Sequence, residues 1–320
     1  MKRPSIRNSN ILVVGGAGFI GSHLVDKLIE QGANKVVVMD NLFIGNKANL
    51  NNAILKGVVL HIDDAENYEA IEYIINNYNI NIVFNLATKA LNYSFINPSN
   101  AYLTNVNVIK NLLELQRRNV FQTLCHFSSS EAYGSALYEP MDEEHPLVPT
   151  TTYAAGKAAA DLMLMSYVKM FDLDAFILRP FNNYGPRQNF EGPLAGVIPV
   201  TIKKILSGNP PEIHGSGNQK RDMIYVKDTV GLVSQLFPLV PPGECINITT
   251  DQQMAIEDLV KTIANMMNYK GEILRKPSRK ADVISHRGSD KKLKTLVGQY
   301  NKTDFKEGIE ATIEWLSDKL

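Results

Sequence analysis

The chain has 320 residues, 44% hydrophobic and 21% charged, with 33 basic and 33 acidic side chains. That length suits one large α/β domain, or a domain with a smaller appendage. Zero formal charge leaves no global field to attract nucleic acid or an acidic membrane surface. The two cysteines, Cys125 and Cys245, lie far apart, which argues against a disulfide framework and fits a reducing compartment. The start from Met1 to Asn10 is basic and polar, unlike the apolar core of a secretory signal. No apolar run reaches the roughly 18 residues that span a bilayer. A soluble cytoplasmic protein is the expectation.

Ile11–Val14 is an apolar run that breaks into Gly15-Gly16-Ala17-Gly18-Phe19-Ile20-Gly21. Leu24, Val25, Leu28 and Ile29 then recur at helical spacing. Strand, glycine turn and helix therefore open the chain. Val36–Met39 reads as a second strand ending at Asp40, Val58–Leu60 as a third, and Ala70–Tyr78 as a helix. Ile82–Phe84 is a fourth strand, Val106–Arg118 a long helix, and Phe121–Phe127 a fifth strand running into serines. Thr152–Phe171 is helical, and Ala175–Leu178 is a further strand closed by Arg179-Pro180. Apolar strands alternating with helices predict a parallel sheet covered on both faces, a Rossmann-type doubly wound α/β fold. Beyond Pro180, Pro210-Pro211, Gly215-Ser216-Gly217 and Pro241-Pro242-Gly243 punctuate shorter elements. The expected division is residues 1–180 for a dinucleotide and 181–320 for a substrate-binding region interleaved with the first.

Glycines spaced as Gly15, Gly18 and Gly21, after a strand and before a helix, let backbone approach a pyrophosphate at a helix N-terminus. Phe19 and Ile20 belong to that first turn. Asp40, with Asn41 and Asp63 nearby, is placed to accept hydrogen bonds from an adenine ribose, which favours NAD over NADP. Tyr153 and Lys157 stand one helical turn apart on one face. There the ammonium is expected to lower the phenol's pKa and make it a base for a sugar hydroxyl.

This glycine spacing with Tyr153 and Lys157 resembles the extended short-chain dehydrogenase/reductase family over nearly the whole chain. The stretches from Arg179 to Arg187 and from Gly215 to Asp222 are similar to the signature of its nucleotide-sugar branch. The resemblance implies NAD as cofactor, contacted also by Leu86, Ala87 and Asn105; Lys89, unusual for the family at this place, is a further candidate for contact with the cofactor. It implies that Tyr153 oxidises the sugar at C4 with Ser129 holding the reacting oxygen and Lys157 the nicotinamide ribose. Asn182, Arg187, Val197, Ile213, Arg221, Arg279 and Asp282, with Lys89, would line the nucleotide-sugar site. The alanines of Ala154–Ala160 would let helices pack closely, as in the four-helix homodimer interface common in that family.

Ser129-Ser130-Glu131 bears on the reaction. Dehydratases of the family typically carry Thr-Asp-Glu here, so the base is present as Glu131 and the usual acid is replaced by Ser130. Glu131 suits removal of an acidified C5 proton. The reading is a nucleotide-sugar 4,6-dehydratase. Decarboxylation of a UDP-glucuronate-type substrate, with Arg187 or Lys89 near the carboxylate, stays open, as do 4-epimerisation and simple 4-oxidation. A non-catalytic NAD-binding sensor is disfavoured by the intact Tyr153, Lys157 and Ser129.

Overall fold

A computed structural model describes residues 3–278 and 283–320. Its centre is a seven-stranded parallel sheet. In chain order the first six strands are β1 (Asn10–Val14), β2 (Lys35–Met39), β3 (Val59–His61), β4 (Ile82–Asn85), β5 (Thr123–Phe127) and β6 (Asp174–Pro180), and the seventh is Cys245–Ile248. Across the sheet the order is Cys245–Ile248, β6, β5, β4, β1, β2, β3. Strand side chains alternate between faces, so Ile11 and Val13 join one apolar layer while Leu12 and Val14 join the other. Both faces of the sheet are thus buried, as parallel sheets require.

The chain runs from β1 outward to β3 and then crosses to β4 on the other side of β1. That reversal splays the loops after β1 and β4 and opens a crevice at the carboxyl ends of the strands. A third apolar core holds the region beyond β6, with Ile198, Ile202, Ile213, Leu259, Ile263 and Ile309 buried together. The two regions share elements. Cys245–Ile248 pairs with β6, and the Val226–Leu236 helix supplies Leu232, Val233 and Leu236 to the same apolar layer as Leu24 and Leu28 of the first helix.

Most element bounds differ by a residue or two from those expected, and one differs by more. The Val106–Arg118 helix is longer, running Pro98–Arg117, because the Asn97 side chain accepts from the Asn100 amide and proline occupies the first turn. The Ala70–Tyr78 helix instead starts at Tyr68, capped by Asn67. The fifth strand begins at Thr123 rather than Phe121. The Thr152–Phe171 helix has the expected bounds, with the Thr151 side chain accepting from the Ala154 amide. Its small residues serve a contact inside the chain: a Cβ on Gly156 would stand 2.7 Å from the Tyr102 carbonyl oxygen. Among the described residues no helix is long and apolar enough to cross a membrane.

Candidate active site

The crevice beside β1 forms a cavity of about 400 Å³ whose wall includes Gly15, Gly18, Asp40, Leu86, Ser129, Tyr153 and Lys157. Gly15 has φ +79°, and a Cβ there would lie 2.7 Å from the Ala87 amide nitrogen. A Cβ on Gly21 would meet the Gly15 carbonyl oxygen at 2.3 Å. Only glycine lets the turn, the helix and the loop after β4 close on one another here. The helix Phe19–Glu30 has no side-chain cap at its N-terminus. Its first amides and the positive end of its dipole are thereby available to an anion. The cradle fits a dinucleotide pyrophosphate.

Asp40 ends the strand expected to read the ribose. Its Oδ2 accepts from the Ala17 amide at 2.9 Å and its Oδ1 from the Leu42 amide at 2.8 Å. The carboxylate therefore braces the glycine turn, and the Gly18 amide donates to it as well. Burial pushes its pKa up, against those amide bonds. Asn41 and Asp63 lie on the same wall, and Asn41 Nδ2 donates to Asp64 at 2.8 Å.

Tyr153 sits half-buried on the first turn of the Thr152–Phe171 helix. Its phenol is pushed up to about 12, first by burial and then by the charge of Glu131, against the Ser129 and Thr88 hydroxyls, which pull it down. The expectation that Lys157 lowers this pKa is not met. Lys157 Nζ donates to the Phe127 carbonyl at 2.8 Å, and burial brings the ammonium itself down to about 8, opposed by Asp161. The ammonium is still largely charged near pH 7, and its hydrogen bond goes to a strand-end carbonyl.

Ser129 caps the short turn Ser130–Tyr133, its Oγ accepting from the Glu131 amide. That turn buries Ser130 and leaves Glu131 half-buried. Glu131 Oε1 stands 3.8 Å from Nδ1 of His286.

Residues 12–312 match the family described as GDP-mannose 4,6 dehydratase. The chain belongs to that family. It thereby joins the epimerases and dehydratases of the extended short-chain dehydrogenase/reductase class. A putative UDP-glucose 4-epimerase of Methanocaldococcus jannaschii is 35% identical over 96% of this chain and 98% of that protein. UDP-glucuronic acid decarboxylase 1 of Xenopus tropicalis is 32% identical over 97% of this chain and 72% of its own length. The crystal structure of a dTDP-glucose 4,6-dehydratase from Streptomyces venezuelae, with NAD bound, superposes with a TM-score of 0.91 at 25% identity, covering 97% of each chain. The family is one of enzymes acting on nucleotide sugars, and its relatives divide among three reactions.

Within this family frame, the residues read from sequence fall into four groups. Gly15, Gly18, Phe19, Ile20, Gly21, Asp40, Asn41, Asp63, Leu86, Ala87, Lys89, Ser129, Tyr153, Lys157 and Arg187 line the cavity. Asn182, Val197 and Arg221 line a second cavity of about 290 Å³, and Asn183, Gln188 and Gly196 border both. Asn182 Nδ2 is buried there without a hydrogen-bond partner, a donor aimed at a ligand-sized space. Asn105, Ile213, Ser130 and Glu131 line neither cavity among the described residues. Asn105 lies behind the wall, where its Oδ1 accepts from Thr88 Oγ1 at 2.8 Å. Ile213 is in the apolar core, between cavity-lining Glu212 and His214. Arg279 and Asp282 lie outside the described residues.

Arg187 is already engaged, its Nη2 2.8 Å from Asp26. Lys89 is buried with its Nζ 3.9 Å from the Phe43 ring centroid. Sequence reasoning missed Thr88, Asp161 and His286. Thr88 follows the turn that the glycine cradle presses against. Asp161, one turn beyond Lys157, accepts from Arg179 Nη2 at 2.8 Å and Ser128 Oγ at 2.6 Å. Its spacing from Lys157 was a usable signal. His286 carried none, being far from Glu131 in the chain.

Proposed function

We propose that this chain holds NAD in the glycine-cradled cavity, binds a nucleotide sugar across the second cavity, and acts as a 4,6-dehydratase. The observation that carries the reaction type is Glu131, a half-buried carboxylate whose charge bears directly on the Tyr153 phenol. Oxidation or epimerisation at C4 alone needs the tyrosine and the serine hydroxyl, and has no work for a second base. When bound, NAD would supply the acceptor for the C4 hydride and later return it to C6, with C5 regaining a proton. The chain's own residues do the rest. Tyr153 takes the proton of the C4 hydroxyl in its ionised form, which the Ser129 and Thr88 hydroxyls favour against burial. The C4 ketone acidifies C5–H, and Glu131 removes that proton. Ser130 and Glu131 both stand behind the cavity walls, but Ser130 is fully buried while Glu131 is half-buried and ionisable, so Glu131 is also the group that returns the proton to the departing C6 hydroxyl. The C5–H electron pair becomes the C5=C6 bond, and the proton and hydroxyl leave together as water.

Decarboxylation is the second reading, favoured by Lys89. Among the described residues this cavity-wall ammonium has an aromatic partner, Phe43, and no carboxylate, which would suit the carboxylate of a uronic acid. The test is incubation of the NAD-loaded enzyme with UDP-N-acetylglucosamine, GDP-mannose, UDP-glucose and UDP-glucuronate, read by mass spectrometry. Loss of water supports dehydration, loss of carbon dioxide supports the second reading, and unchanged mass with a new stereoisomer refutes both in favour of epimerisation. We also propose a homodimer. Leu103, Leu162 and Met165 are 43%, 55% and 44% exposed on the Pro98–Arg117 and Thr152–Phe171 helices, and large apolar side chains so exposed on paired helices suit burial against a second copy.

A further inference from the structure

His286 is fully buried, on a strand-like segment whose amide donates to the Lys220 carbonyl. Its Nε2 is 2.8 Å from the Gly134 carbonyl oxygen. A carbonyl only accepts, so Nε2 carries the hydrogen and Nδ1 presents a bare lone pair. Burial, then Arg221 and His145, hold the ring's pKa down to about 4, against the Gly134 bond and Glu139, so the ring is neutral near pH 7. Nδ1 is buried and has no hydrogen-bond partner among the described residues. Facing it at 3.8 Å is Glu131 Oε1.

A lone-pair nitrogen and a carboxylate oxygen are both acceptors. With no hydrogen to share they stand apart, beyond the 2.7–3.2 Å of a made bond. One proton on Glu131 supplies what the pair lacks. We infer that His286 is a positioning residue for Glu131: its Nδ1 accepts a hydrogen bond from the glutamic acid formed when Glu131 has taken the C5 proton. The inference rests on the proposed role of Glu131 as the C5 base. In the step, the C5–H bond breaks and an Oε–H bond forms, with that hydrogen directed at Nδ1. The proton then passes to the leaving hydroxyl and Glu131 returns to carboxylate. No co-reactant is consumed, and His286 keeps its own proton on Nε2 throughout. The arrangement favours the neutral acid at the moment when elimination needs a proton donor, in place of the absent carboxylic acid at position 130.

Two measurements test this. In full-length protein with nitrogen-15-labelled histidine, Glu131→Gln places an amide donor where the protonated carboxyl would be, and Glu131→Ala removes it. The His286 Nδ1 resonance is expected on the hydrogen-bonded side in Glu131→Gln relative to Glu131→Ala; coincidence of the two overturns the inference. The second arm reads wash-in of solvent deuterium at C5, using whichever of the four nucleotide sugars turns over. Glutamine approximates the position of a histidine Nε2 and asparagine that of Nδ1. His286→Gln therefore keeps the Gly134 bond and is expected to slow wash-in about tenfold, the worth of one ordinary hydrogen bond, with KM and C4 oxidation unchanged. His286→Asn keeps an acceptor toward Glu131 and is expected to retain more wash-in than His286→Gln. The reverse order means that anchoring to Gly134 is what matters, and the inference fails. If Glu131→Gln leaves wash-in unchanged, the base assignment itself fails. If Glu131→Gln abolishes wash-in and His286→Gln does not alter it, only the role of His286 is lost.

Discussion

Lys157→Met replaces a buried ammonium by an apolar chain of similar length. The lysine is 2% exposed and held at about 8 instead of 10.5, chiefly by desolvation. A displacement of that size amounts to about 3 kcal/mol against the charged form. Methionine would remove that cost but leave the Phe127 carbonyl without the donor it has at 2.8 Å, a loss of about 1–2 kcal/mol. The net expectation is stabilisation by about 1–2 kcal/mol at pH 7, with activity lost. The pH dependence follows from linkage. Below pH 8 the folded wild type bears the whole cost of the charge. Between about 8 and 10.5 the unfolded chain binds more protons than the folded one, so wild-type stability rises with pH. Above that interval both states are neutral and the cost is gone. Urea unfolding of both proteins from pH 7 to pH 10.5 measures this. The variant's advantage should be largest at pH 7 and shrink as the pH rises. A variant less stable at pH 7, or a difference that ignores pH, would refute the reasoning and show that Asp161 and the backbone carbonyl compensate the buried charge.

Tyr153→Phe is expected to lower turnover a thousandfold or more, of the order lost with a positioned acid–base group, while NAD binding measured by calorimetry stays near wild type; retained turnover would remove the phenol from the mechanism. Gly15→Ala forces a side chain into φ +79° and against the Ala87 amide, so NAD affinity should fall at least about tenfold, by the 1–2 kcal/mol of a left-handed non-glycine residue or more; unchanged affinity would mean the loop does not cradle the cofactor. Changing Leu162 and Met165 together to glutamate should yield a folded monomer in sedimentation, and a dimer surviving both changes would place the interface elsewhere.

The succession of strands and helices up to Pro180, the glycine turn and the spacing of Tyr153 and Lys157 were legible in the chain because each is a local pattern. An apolar run, a glycine spacing and a helical turn all lie within a few residues, and backbone sterics translate them directly. The start of the Pro98–Arg117 helix was equally local, since Asn97 and Pro98 mark it, yet it was read several residues late. Asp40 was placed correctly at a strand end, but its bracing of the Ala17 and Leu42 amides depends on the closed turn.

Electrostatic state was not legible. From spacing alone, Lys157 should activate Tyr153; burial instead depresses the lysine and raises the phenol, because desolvation depends on everything that packs around a group. Thr88 and His286 reach the site from a different loop and from near the far end of the chain, and only folding brings them beside Tyr153 and Glu131. Short-range pattern therefore sufficed for the alternating strands and helices and for the helical-turn spacing of Tyr153 and Lys157. The charge on each group, and the partner that faces Glu131, were decided by tertiary packing, since solvent exclusion and long-range contact have no signature in local sequence.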